Sequence, residues 1–303
     1  MLVLKDIAAM RADADESRRR GLRVGFVPTM GYLHEGHLHL VRVARERCER
    51  VVMSSFVNPL QFAPGEDLAT YPRDMDRDLE LAERAGVDVF WSPDGGQMYP
   101  APPEVTVSPG PVGAILEGAV RPGHFTGVLT VVLKLFNVVR PELAVFGRKD
   151  AQQAALVRRM VYDLNVPIEI VVAPTVRDTD GLALSSRNVY LDAAMRRTAR
   201  ALPEALRAGV AAFRAGERRA GQVVAACYSV LGPPERSGSL TVEYVNVLDP
   251  DSFQPSHAAT AASTLAAAIR VGTRRLIDNV VLGEGLEADP RLESPSVLGS
   301  GSA

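Results

Sequence analysis

Residues 24–37 read VGFVPTMGYLHEGH, and the fold reading turns on them. A β-rich run over 24–28 meets Gly31, which permits a tight turn, and His34 and His37 then stand at the expected start of a helix. The same strand-to-helix texture recurs along the chain. Strands are expected over 51–58, 87–92, 143–147 and 168–173, with helices starting near His34, Asp74, Gly127 and Asp150. Alternation of that kind is the pattern of an α/β fold, a doubly wound parallel sheet covered by helices. Such sheets bind ligands outside the carboxyl ends of their strands. The loops to read are therefore those after Val27, Val57 and Phe146.

Beyond Arg187 the texture changes. An Ala/Arg-rich helical region is expected over 192–230, ended by Pro233, Pro234 and Gly238, and β-like runs follow at 240–248, 268–271 and 276–282. The expected organisation is a catalytic domain over 1–175, a smaller α+β domain over 176–284 and a disordered, Gly/Ser/Pro-rich tail over 285–303. A chain of 303 residues is long enough for two such cores.

Lys plus Arg number 34 against 36 Asp plus Glu, a net charge of −2, which argues against a nucleic-acid footprint or an anionic-membrane surface. No secretory signal is expected at the N-terminus, and the apolar run over 127–139 carries Lys134 and Asn137 and is too short to span a membrane. Cys48 and Cys227 belong to no CxxC or Cys/His cluster, which fits a reducing cytoplasm. Lys5, Lys134 and Lys149 are the only lysines, so a lysine at a strand end is informative.

Four segments carry polar chemistry. In PTMGYLHEGH, His34 and His37 lie three apart on one helical face at a helix start, where two imidazoles can donate to phosphoryl oxygens; two histidines that merely cap or pack the helix are the bland alternative. A zinc site would need a third ligand that the sequence does not place. In FVNPLQF, the amides of Asn58 and Gln61 suit hydroxyls and carboxylates, or else serve their own loop. In FGRKDAQQ, Lys149 is a point charge suited to polyphosphate, Asp150 can cap the next helix, and Gln153 lies one turn on. In RDTDGLALSSRNVYL, Ser185, Ser186 and Arg187 form a hydroxyl-rich cationic loop able to close over a triphosphate, or an ordinary interdomain connection.

Taken together in this order, with EGAVRPGHFTGV and RVGTRRLIDNVVL, these segments resemble the pantothenate synthetase (pantoate:beta-alanine ligase) family over 24–282. The resemblance implies a Rossmann-like, nucleotidyltransferase-type domain with a smaller C-terminal lid domain. It implies a two-step ligase, in which ATP and D-pantoate give pantoyl adenylate and beta-alanine then displaces AMP. By the same resemblance Met30, Gly31, His34, His37, Gly147, Arg148, Lys149, Asp150, Val176, Leu184, Ser185, Ser186 and Arg187 border ATP. His37, His34 and Lys149 would be catalytic, with His37 the acid. Gln61 and Gln153 would hold pantoate, Gln61 would also touch beta-alanine, and Asn58 joins this substrate set. Asp78 matches an acidic Mg2+ position. A cytoplasmic homodimer is implied, with no nucleic acid and no membrane. A nucleotidylyltransferase of the same superfamily and a non-catalytic nucleotide-binding regulator are the alternatives. The chain departs from the family's pattern at Tyr32, where a small residue is usual, at Leu184, Arg148 and Ala151, and at Arg77, where an acid can occur.

Overall fold

The computed structural model describes residues 1–63, 65–66 and 68–288. The described residues cluster into two compact units, Met1–Gly147 with Gln152–Ala173, and Arg148–Ala151 with the described residues from Pro174 onward.

The first unit runs β1 (Leu2–Leu4), α1 (Ile7–Arg19), β2 (Val24–Thr29), α2 (Glu35–Arg45), β3 (Arg50–Ser55), α3 (Met75–Arg84) and β4 (Val89–Trp91). It continues through α4 (Gly95–Met98), α5 (Glu117–Val120), α6 (His124–Val139), β5 (Leu143–Gly147), α7 (Ala151–Asp163) and β6 (Glu169–Ala173). The six strands form one sheet in the order β1-β4-β3-β2-β5-β6, and every pairing is parallel.

Period-two alternation explains why these strands read as nearly continuous apolar runs. Val24, Phe26, Val52, Val89, Trp91, Ala144 and Phe146 point into one core with Met10 of α1 and much of α6. Their neighbours Val27, Val51, Met53, Phe90, Leu143 and Val145 point into a second core with Leu40, Val41 and Ala44 of α2. Helices cover both faces, as expected for a doubly wound sheet. From β2 the chain steps outward through β3 to β4, then returns to place β5 on the other side of β2. The carboxyl ends of β2 and β5 are thus the switch point at which such sheets bind ligands.

β1 and α1 were not expected. β1 is three residues long and half-exposed at the sheet edge, too short for a periodicity signal. The strand expected over 51–58 stops at Ser55, because Asn58 turns the chain by accepting Leu60 N–H in a 3-10 turn over Pro59–Gln61.

The second unit contains α8 (Ala193–Ala199), α9 (Ala201–Arg214), α10 (Ala220–Arg236), β7 (Thr241–Leu248), β8 (Thr264–Val271) and β9 (Arg274–Val281), the strands forming an antiparallel sheet. Pro233 and Pro234 do not end the helix as expected. They sit in the last turn of α10, where their carbonyls still accept from Ser237 and Ser239 N–H. Within the tail expected over 285–303, Leu286 is fully buried in the second unit's core. The rest of that tail, 289–303, lies outside the described residues. Among the described residues, no helix is long and apolar enough to cross a membrane.

Candidate active site

The turn after β2 is built around a backbone that only a small residue at its head can follow. Gly31 has φ 79°, and a Cβ there would stand 2.6 Å from Ser55 Oγ and 3.0 Å from Asp78 Oδ2. Tyr32 also has positive φ, 51°, which costs an ordinary residue about 1 kcal/mol and must be held from outside. α3 supplies the hold. Asp78 accepts Tyr32 N–H (2.7 Å) on Oδ2 and Leu33 N–H (2.6 Å) on Oδ1. Arg77 donates to the Leu33 carbonyl (2.9 Å) and lies over the Tyr32 ring, 5.5 Å from its centroid. The two departures from the family's pattern on this side, Tyr32 and Arg77, therefore meet each other.

That geometry gives Asp78, implied above as a magnesium position, a role in holding the turn. The residue is 2% exposed and both of its oxygens already accept loop N–H groups. Burial pushes its carboxyl above the ordinary value against the opposing pull of those two N–H groups. Among the described residues no group of three or more His, Cys, Asp or Glu side chains could hold a metal ion. Asp78 is thus a clamp on the turn, and one lone pair remains on each of its oxygens.

The clamped turn delivers His34 to the N-cap of α2 in extended conformation (φ −140°, ψ 172°). His37 Nδ1 accepts His34 N–H (3.3 Å), and the two rings lie with centroids 3.9 Å apart, tilted by 32°. With Nδ1 an acceptor, neutral His37 carries its proton on Nε2, so it is a donor at that atom. Glu35 and Gly36, the first residues of α2, have N–H groups without an intrahelical acceptor, the arrangement that favours anions.

The second loop corrects the reading of Asn58. Its Nδ2 donates to Gln61 Oε1 and to the Gly127 carbonyl (both 3.1 Å), while Oδ1 accepts from Tyr99 Oη (3.0 Å) and Leu60 N–H (3.3 Å). Two hydrogens and two lone pairs are all occupied, so Asn58 orients Gln61 and has nothing left for a substrate. Gln61 Nε2 lies 3.0 Å from Met30 Sδ, which joins this loop to the first. Gly127 is required by close approach, because a Cβ there would run into the Leu60 carbonyl.

Sequence reasoning gave no role to Arg121 and His124, although it quoted the segment that contains them. His124 Nδ1 donates to the Gln61 carbonyl (2.8 Å), whose oxygen can only accept, and its Nε2 lies 3.0 Å from Arg121 Nη1 and can only accept there. The ring is therefore neutral. Burial, then the Arg121 charge, pushes its pKa down to about 4. Arg121 also grips Glu66 with two hydrogen bonds, 2.6 and 2.8 Å. Of the paired glutamines on α7, Gln152 is buried and bonds Glu117 N–H and the carbonyls of Val112 and Ile115, while Gln153 is half-buried.

In the second unit, Arg148, Lys149 and Asp150 form a 3-10 turn, with Lys149 Nζ 3.4 Å from Asp150 Oδ1. Val176 and Leu184, both buried, face each other across a tight hairpin through a Leu184 N–H bond to the Val176 carbonyl (3.0 Å). Ser185 then caps a 3-10 turn over Ser186–Tyr190 by accepting Arg187 N–H (3.3 Å). Arg196 secures the hairpin by bonding Asp178 (2.7 Å) and Asp180 (2.8 Å).

A family model for pantoate-beta-alanine ligase matches residues 2–281. The chain belongs to that family. It is 48% identical to a pantothenate synthetase of Pelotomaculum thermopropionicum over 94% of this chain and all of that one. A pantothenate synthetase of Moorella thermoacetica is 51% identical over 93% and 99% of the two chains. Among solved structures, the pantothenate synthetase of Thermus thermophilus superposes with a TM-score of 0.86 at 44% identity, covering 93% of this chain and 99% of that one. A pantoate-beta-alanine ligase from Francisella tularensis, solved in complex with beta-gamma ATP and beta-alanine, gives 0.75 at 30% identity over 94% and 99%. Membership makes the protein a ligase, and the Rossmann-like sheet with its smaller α+β unit is the fold of the pantoate-beta-alanine ligases.

Proposed function

We propose that this ligase condenses D-pantoate with beta-alanine at the expense of ATP, through pantoyl adenylate. A pantoate carboxylate oxygen bonds the α-phosphorus as the bond to pyrophosphate breaks. The beta-alanine nitrogen then bonds the acyl carbon, AMP leaves, and the ammonium proton is lost to solvent. Activation is needed because a free carboxylate is a poor acylating agent, and donors that take up charge on the departing phosphates act where the barrier lies.

The observation that carries this reading is the pair of histidines at the head of α2, with His37 Nδ1 tied to the His34 amide so that Nε2 carries the proton a phosphoryl oxygen would accept. Met30 and Gly31 would border the same nucleotide, as would Gly147. From the second unit Arg148, Lys149, Asp150, Val176, Leu184, Ser185, Ser186 and Arg187 would take part. Gln61 would hold pantoate through Nε2, exchanging a weak thioether acceptor for a substrate oxygen, and its second partner would be beta-alanine. Gln153 would complete the pantoate set. ATP would enter as its magnesium complex, with Mg2+ held by the phosphates and water. The buried free thiols of Cys48 and Cys227 support a reducing cytoplasm, and a homodimer is the assembly we expect.

AMP formation measured with each substrate omitted in turn tests the reading. It should require pantoate and beta-alanine together, while pantoate alone should support exchange of pyrophosphate into ATP. A nucleotidylyltransferase would leave the nucleotide on its product and release no AMP on adding the amine. A protein that binds nucleotide without turnover would refute catalysis altogether.

A further inference from the structure

The segment RVGTRRLIDNVVL carries two buried polar residues that the reaction has not so far used, Asp278 (2% exposed) and Asn279 (3% exposed), both on β9. Arg177, fully buried, forms a two-pronged ion pair with Asp278 (2.7 and 3.0 Å) and donates further to the carbonyls of Gly181 (3.2 Å) and Asn279 (3.3 Å). Asp278 also accepts the Asn279 N–H (2.8 Å). A buried guanidinium matched by a carboxylate and two carbonyls is a rigid knot, and it fixes the backbone of Asn279.

From that anchored backbone the Asn279 side chain reaches the turn that bears Lys149. Its Nδ2 donates to the carbonyls of both Arg148 and Lys149, each at 2.9 Å. The amide has one sensible orientation, because turning it over would set Oδ1 against two carbonyl oxygens. Oδ1 meanwhile is buried without a hydrogen-bond partner. An apolar residue would pack here without leaving an orphaned acceptor, so what the amide contributes is its grip on the turn.

We propose that Asn279 is a positioning residue for Lys149, holding the two carbonyls that flank the Lys149 α-carbon so that its ammonium meets the ATP phosphates during adenylation. The proposal rests on the assignment of Lys149 to those phosphates. Arg177 and Asp278 act one step further back, by holding Asn279.

The test is a double-mutant cycle on the full chain, with each half-reaction followed in single turnover. Asn279→Leu should slow adenylate formation at saturating ATP by about 10- to 100-fold, the scale of a displacement near 1 Å at a reacting centre. Aminolysis of preformed pantoyl adenylate should stay within about twofold, since pyrophosphate has already left. Asn279→Ser, which keeps one donor, should fall between wild type and Asn279→Leu; it also carries the same cycle if the leucine variant does not fold. In a Lys149→Ala background Asn279→Leu should add no more than about twofold, because residues acting through one another are not additive. Multiplicative slowing, or equal slowing of both half-reactions, would overturn the positioning role. A Lys149→Ala variant with normal adenylation would instead remove the assignment of Lys149 itself, and the proposal with it.

Discussion

Lowering the pH should destabilise the first unit through His124, by an amount that follows from its surroundings. The folded ring is neutral, with Nδ1 donating to the Gln61 carbonyl and Nε2 facing Arg121, and its pKa lies at about 4 against an ordinary 6.5. Between those two values the unfolded chain binds the proton and the folded one does not. Stability is therefore full above pH 6.5 and drains as the pH falls toward 4. At about pH 5 the loss from this one group is about 2 kcal/mol, approaching about 3 kcal/mol near pH 4. The chain's single tryptophan, Trp91, is fully buried in the first unit and reports its unfolding directly. Urea unfolding followed by Trp91 fluorescence at about pH 7.5 and about pH 5, on the wild type and on His124→Asn, isolates the effect, since every other titrating group is common to both. The asparagine amide can still donate to the Gln61 carbonyl, so the variant should start weaker at neutral pH but lose about 2 kcal/mol less on acidification. Parallel pH curves for the two proteins would refute the neutral, bridging histidine.

Asp78→Asn leaves one of the Tyr32 and Leu33 N–H groups facing an amide NH2, and should cost about 1–3 kcal/mol of stability together with a slower adenylation step. If the clamp is its whole role, the magnesium concentration for half-maximal pyrophosphate exchange should not move; a large rise would show that Asp78 also serves the metal. Gly127→Ala places a methyl group against the Leu60 carbonyl; a loss of about 1–3 kcal/mol in thermal unfolding and a raised KM for pantoate are expected, since the loop holding Gln61 must shift. Leu184→Met, at a buried site, preserves volume and should change stability by less than about 1.5 kcal/mol. A marked rise in the KM for ATP in that variant would mean that the side chain shapes the nucleotide's surroundings.

The sequence by itself carried the parallel sheet, because strands buried on both faces need nearly continuous apolar runs, and 24–28, 51–53 and 143–147 supply them. It also placed His34 and His37 at a helix start, since Gly31 and the helical period after it are local signals. Tertiary structure decided which polar side chains are free to act. Asn58 and Gln61 are three residues apart and alike in chemistry, yet partners from Tyr99 and Gly127 occupy the first, while the second has only a weak thioether acceptor at its Nε2. Asp78 clamps the turn after β2 with both oxygens, a role that the 45 and 46 residues separating it from Leu33 and Tyr32 hide in the sequence. Asn279 lies 130 residues from Lys149, and no spacing could announce that its amide closes on that turn. Local propensity follows from neighbours along the chain, whereas the satisfaction of a buried polar atom depends on groups that only folding brings within about 3 Å.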